Sequence, residues 1–339
     1  MKKKCEFLTW GLLSRQRVYL MAFAIIWVVL FHGMAMGLKL PAGVKVINAV
    51  LRSGYAGVDV FLFLSGIGLY YSYKKEPDFR KFYKKRLMRV FLPYFFIGGA
   101  FWAFADLVLK RDFLLFLKDV TIISFWKDGT TRVWYVGLIL LLYAVFPLIW
   151  SFVYRKEEVK NGRIGILIAC VVCMNAVVSV WFPEWYDKVE IALTRIPVFL
   201  IGIGTAQRVW DMRAVRGREI VVLAMLLSLK IPMNLYGIKG VYQRYWCAVL
   251  AVSLCLAFSI LLEMCDRNKV LCKLKRALVP IGTWSLELYI VHVWVRRFLM
   301  KSESSYAAGI FGIFLLVVIS AFLTWLAVLA EKRVLYNKK

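Results

Sequence analysis

A chain of 339 residues with 62 % apolar side chains and a mean hydropathy of +0.70 departs far from the roughly half-apolar usage of soluble domains, which excludes a water-soluble fold. The formal net charge of +26, from 46 Lys and Arg against 20 Asp and Glu, points at first to nucleic acid, but the basic residues fall in the short segments between apolar runs. That pattern orients membrane helices and does not line a groove, so nucleic acid is rejected as a partner.

Ten apolar segments follow one another, over 18–38, 54–73, 87–109, 133–154, 163–182, 194–209, 219–236, 242–265, 279–299 and 306–330. Helices of about twenty residues cross a bilayer core, so the expected fold is all-α, one polytopic membrane domain of about ten transmembrane helices over 1–339. Lys2, Lys3 and Lys4 could open a signal peptide, but the apolar run after them is too long for a signal core and lacks a clear small-residue cleavage site. An uncleaved anchor is expected. Ten crossings put both termini on one side, and the 46 Lys and Arg divide 30 to 16 in favour of that side, which is therefore expected to be the cytoplasm. Seven Cys, an odd number, are scattered through or beside apolar runs and imply no disulfide framework. Cys170 and Cys173 form a C-x-x-C without a second pair or a nearby His, so they are read as small residues packed between helices, and no metal site is expected.

In the first segment the side chain that titrates near neutral pH is His32, one of only two His in the chain. A charged group at membrane depth costs roughly 2.5–3.5 kcal/mol on insertion scales, and a neutral imidazole less. The imidazole either hydrogen-bonds a neighbouring helix or serves as a general base that takes a proton from an attacking hydroxyl. An outer loop with Pro41 and Gly43 leads to the second segment, where Asp59 falls at a depth similar to His32. Asp59 is read as the carboxylate that orients and supports that imidazole, with a helix cap as the simpler role. Gly54, Gly57, Gly66 and Gly68 allow a backbone or a ligand to approach.

Between the second and third segments, Lys74 to Arg89 carries eight basic residues, among them Lys85, Arg86 and Arg89. Such a cluster suits topology and lipid headgroups, and equally an anionic cytosolic ligand with several phosphates. The longest connection, Lys110 to Arg132, mixes Phe113, Leu114, Phe116 and Trp126 with charges and reads as an interfacial or re-entrant segment able to lid a cavity. Helix four opens with Trp134 and Tyr135, either membrane anchors or substrate contacts. Helix six begins Arg195-Ile-Pro197, the proline fitting a first turn. In the ninth segment Gly282, Ser285, Tyr289 and His292 recur at helical spacing and form a polar stripe facing protein or a cavity, with Glu287 off the stripe and Arg296 and Arg297 at the outer end.

Six motifs, in order, make the whole chain resemble the membrane-bound acyltransferase family 3. They are Val28-Val-Leu-Phe-His32, the segment Gly57 to Gly66, the run Phe82 to Pro93, Trp134-Tyr135, the run Arg195 to Gly202, and the run Gly282 to His292. The resemblance implies an inner-membrane enzyme of about ten helices that moves an acyl group, usually acetyl from acetyl-CoA, to a hydroxyl of an envelope glycan or a lipid-linked glycan precursor. It implies His32 as the catalytic histidine, and Lys85, Arg86 and Arg89 as contacts to the phosphates of acyl-CoA, a co-substrate and not a tightly bound cofactor. Many members carry an Arg eleven residues before the histidine, where this chain has Met21; Arg17, one turn nearer the cytoplasm, is the expected replacement. Ser65, Trp134, Tyr135, Ser285, Tyr289 and His292 are the expected substrate contacts. Either direct transfer or an acyl intermediate on Ser65 or Tyr70 fits the residues. A flippase with an intramembrane proton relay, and a non-catalytic sensor of a wall precursor, are the competing classes.

Overall fold

The computed structural model describes residues 8–35, 45–155, 158–159, 161–229, 241–301 and 310–336. These are almost wholly helical, with one two-residue antiparallel pair, Tyr154–Arg155 against Glu158–Val159. The long helices are α1 (Arg17–Ala35), α2 (Gly57–Lys75), α3 (Phe79–Leu109), α4 (Trp134–Val153), α5 (Asn161–Trp181), α6 (Ile196–Trp210), α7 (Gly217–Ser228), α8 (Val241–Cys265), α9 (Ser285–Lys301) and α10 (Ile310–Tyr336). Among the described residues seven helices are long and apolar enough to cross a membrane, or eight if a bent pair ending in α9 counts as one. The chain is thus an all-α, multi-pass membrane bundle. The outer loop with Pro41 and Gly43, and the far part of the seventh expected segment, lie outside the described residues.

The interior is built from α1, α2, α4, α6 and α9. Helix α2 is buried along nearly all its length, from Gly57 to Tyr70. It runs against α6, where Gly66 faces the backbone at Phe199 and Gly202 faces the carbonyl of Phe63. A Cβ at either glycine would collide with main chain, so these two absent side chains allow the close approach of α2 and α6. Helix α5 stands outside, with Ile166, Val177, Val180 and Trp181 exposed. Cys170 and Cys173 on it are exposed as well. They do not pack between helices as expected, because α5 presents that face outward.

Local chemistry explains several boundaries. The basic segment before Pro93 is not a loop: Asp78 accepts from the backbone N–H of Arg80 and Lys81 at 2.8 and 3.1 Å, and this cap starts α3 eight residues earlier than hydropathy alone gives. Just beyond Pro93 the helix widens into a π turn, Tyr94–Gly98, where the missing proline N–H leaves the ladder loosened. The connection after α3 forms two short helices, Phe113–Val120 and Ile123–Asp128, joined at Ile122 in a left-handed conformation (φ 65°). Phe113, Leu114 and Ile123 are exposed while Ile122 and Phe125 are buried, which fits an interfacial segment.

The ninth segment is not one straight helix. Val279–Thr283 ends at Trp284, α9 begins at Ser285, and the helical arms on either side are bent by 69°. Pro280 sits in the first turn of the short piece, and Gly282 presses so closely on the Val18 carbonyl of α1 that no side chain would fit. The expected stripe therefore runs continuously from Ser285 through Tyr289 to His292, and Gly282 belongs to a separate contact with α1.

Candidate active site

Among the cavities of the described residues, two lie toward opposite ends of α1. The first, about 100 Å³, lies at the Arg17 end and is lined by Arg17, Met21, Ser65, Arg86, Arg89 and Tyr135, and by the start of α9. Arg86 and Arg89 lie three residues apart on one face of α3, and Arg86 is held by donating from Nη2 to the Gly68 carbonyl at 2.6 Å. Arg17 and Met21 line the same wall one turn apart, so Arg17 supplies a guanidinium to the cavity that Met21 cannot. Lys85 is exposed and lines neither cavity.

The second cavity, about 510 Å³, lies at the other end of α1 and is lined by His32, Arg132, Trp134, Tyr289, Arg296 and Arg297 among others. Tyr289 belongs to both walls. Its ring meets Tyr135 at 5.0 Å and His292 at 5.5 Å, both edge-on, so a thin aromatic partition separates the cavities. The fifteen-residue step from Arg17 to His32 corresponds to about 22 Å along α1.

The two histidines are bonded to each other. His32 Nδ1 lies 2.9 Å from His292 Nε2, and His292 Nδ1 lies 3.0 Å from the Leu288 carbonyl. A carbonyl oxygen only accepts, so His292 Nδ1 carries hydrogen and, in the neutral ring, Nε2 carries the lone pair. That lone pair accepts from His32 Nδ1–H, which leaves His32 Nε2 as the basic nitrogen. His292 is fully buried and His32 is partly exposed to the second cavity, so the chain of bonds runs from helix backbone to an imidazole on the cavity wall.

Asp59 does not take part in this arrangement. It pairs with Arg195, whose Nε lies 3.4 Å from Asp59 Oδ2 with both side chains buried, and the expected His32–Asp59 dyad is replaced by His32–His292. Two opposite charges on the tightly packed α2 and α6 satisfy each other before either reaches an imidazole. The Arg195 guanidinium also lies 5.0 Å from the Trp134 ring and donates to the Ile191 carbonyl at 2.8 Å, so Asp59 acts on the second cavity by holding the arginine against Trp134. Trp134 and Tyr135 are both buried, which removes the anchor role and leaves them as cavity walls, Trp134 in the second cavity and Tyr135 in the first. Ser65 and Ser285 line the first cavity. Tyr70 is enclosed by Tyr71, Trp150, Tyr154 and Trp210 and reaches neither.

Sequence reasoning missed the roles of Arg195, Arg132, Arg296 and Arg297. For Arg195 the signal was present: an arginine and an aspartate within apolar spans each need a partner of opposite charge.

The fold and cavities define a polytopic helical membrane protein with a basic pocket toward one end and an imidazole-bearing pocket toward the other. Residues 19–329 match the family described as Acyltransferase domain, and the chain belongs to that family. It is 27 % identical over 298 residues to Acyltransferase MdmB of Streptomyces mycarofaciens, covering 75 % of this chain and 72 % of that protein. No solved structure matches the chain. The protein is therefore a membrane enzyme that transfers acyl groups.

Proposed function

We propose that the protein transfers an acetyl group from cytosolic acetyl-CoA, through the partition at Tyr289, to a hydroxyl of a cell-envelope glycan or lipid-linked glycan precursor, with His32 as the general base. The observation that carries this reading is the tautomer chain that ends on His32 Nε2 at the wall of the larger cavity.

The smaller cavity is well below the ~300–1,000 Å³ of sites that enclose whole drug-sized ligands. It suits the thioester end of the donor, with the phosphates left at the mouth on Arg86, Arg89 and the exposed Lys85 and with Arg17 deeper along the arm. The 30 to 16 division of Lys and Arg supports placing this end, and both termini, on the cytoplasmic side of the inner or plasma membrane. From the opposite cavity the acceptor hydroxyl attacks the thioester carbonyl while His32 Nε2 takes its proton. The C–O bond forms, the C–S bond breaks, and the departing thiolate recovers the proton from the imidazolium. Ser65 lies in the donor cavity without a neighbouring imidazole and Tyr70 reaches neither, which favours direct transfer over an acyl-enzyme.

The test is transfer of labelled acetyl from acetyl-CoA to envelope glycan by purified protein. A positioned base contributes roughly 10²–10⁴-fold, so His32→Ala is expected to retain under one hundredth of the rate at equal protein and unchanged acetyl-CoA affinity. A His32→Ala protein that keeps most of its activity overturns the assignment.

A further inference from the structure

The outer cavity carries three guanidinium groups, Arg132, Arg296 and Arg297, and among the described residues its lining contains no carboxylate. This is the less basic end of the bundle, where Lys and Arg number 16 of 46, so the usual retention of basic residues on the cytoplasmic side does not explain a cluster here. Two of the three are uncompensated among the described residues. Among the described residues no carboxylate pairs with Arg296 or Arg297, and Arg296 Nε is shut off from solvent without a hydrogen-bond partner.

Arg132 differs. Its guanidinium is wedged against the Trp102 and Trp294 rings at 4.9 and 5.3 Å, and the buried Asp106 and Asp119 stand behind it. Asp106 is further engaged by Lys110 at 3.0 Å, and burial pushes the Asp119 carboxyl above its ordinary value. Arg132 is thus a fixed wall, and the free positive charge comes from the consecutive Arg296 and Arg297. The Trp134 ring, buttressed by Arg195, lines the same cavity. His32 lies in the same cavity.

Resting on the transferase reading above, we propose that the acceptor carries an oxyanion, a carboxylate or a phosphate, near the hydroxyl that is acylated, bound by Arg296 and Arg297 while its sugar ring lies on Trp134. A carbohydrate ring presents C–H groups to an aromatic face, and a carboxylate or phosphate oxygen accepts charge-assisted hydrogen bonds from the guanidinium groups of Arg296 and Arg297 that line the cavity. The register between anion and hydroxyl then selects which hydroxyl reaches His32.

The experiment uses the full chain in nanodiscs of zwitterionic lipid. Calorimetry measures binding of methyl glucuronide, of methyl glucoside, and of methyl glucoside 6-phosphate, and acetyl transfer from acetyl-CoA is followed in parallel. One charge-assisted bond predicts roughly ten- to a hundred-fold tighter binding of the anionic sugars than of the glucoside, and the better of the two identifies carboxylate or phosphate as the source. In Arg296→Gln and Arg297→Gln the preference should collapse toward unity through Kd and KM, while acetyl-CoA affinity stays as in the wild type. Equal affinity for charged and neutral sugars, no binding of any of the three, or a preference that survives both substitutions overturns the inference. Loss of the preference only when the discs contain anionic lipid shows a headgroup on these arginines and overturns it too. Transfer at equal rates to charged and neutral sugars leaves the transferase reading standing, whereas an anion preference with no transfer from acetyl-CoA keeps this site and removes that reading.

Discussion

Replacing His292 by Phe keeps the volume on α9 and removes the nitrogen that accepts from His32 Nδ1–H at 2.9 Å. In the ground state that bond joins two neutral rings and contributes roughly 0.5–1.5 kcal/mol, but as His32 takes the acceptor proton it becomes a bond from a cation, contributing roughly 1.5–3 kcal/mol. Only the difference, roughly 1–1.5 kcal/mol, is lost from the activation step, which corresponds to a fall in kcat of about 5- to 13-fold. Because the bond strengthens only as charge develops, the loss should appear in kcat, with donor affinity unchanged. His292→Gln places an amide oxygen near the same point and should recover much of the rate. Steady-state acetyl transfer by both variants, scored against folded protein, is the assay. A His292→Phe enzyme with wild-type kcat would refute the relay. If both variants fall as far as His32→Ala, the base is His292 and the reasoning from the Leu288 carbonyl is wrong.

At the other cavity, Arg86→Gln and Arg89→Gln should each weaken acetyl-CoA binding by about 1.5–3 kcal/mol, measured as donor Kd in detergent or nanodiscs, with Lys85→Gln having the smaller effect because its exposed ammonium is screened. Unchanged affinity in the double variant would return the pair to a topological role. Asp59→Asn leaves the Arg195 charge buried without its counter-ion, and breaking such pairs costs about 3–5 kcal/mol, so thermal stability should fall while turnover per folded molecule is largely kept. A stable Asp59→Asn protein with abolished turnover would put Asp59 back into the chemistry.

The helices were legible in the sequence because their apolar runs are long and their breaks are marked by charge. Where the reading failed, a tertiary contact decided. The bend before Ser285 depends on Gly282 meeting the Val18 carbonyl, two residues far apart in the chain. The site was legible in its parts: His32, His292 and Asp59 stood out as polar groups in apolar surroundings, and Arg86 and Arg89 as a cluster. Their partners were not, since depth along a helix fixes only one coordinate. Gly54 faces the Trp27 carbonyl and Phe31, and Gly57 the Ala24 carbonyl, so α2 runs toward the Arg17 end of α1 and Asp59 lies deeper than His32, with its carboxylate on Arg195. Cys170 and Cys173 show the same limit, because hydropathy does not tell which face of an all-apolar helix meets lipid.

The central claim is that donor and acceptor reach the partition at Tyr289 from opposite ends of the bundle. Proteoliposomes with one fixed orientation, given labelled acetyl-CoA only on the face bearing Arg86 and Arg89 and a glycan acceptor only on the other, test it directly. The account predicts acetyl ester on the far-side glycan and none when both supplies are exchanged. Ester formed only when donor and acceptor share one compartment would contradict it.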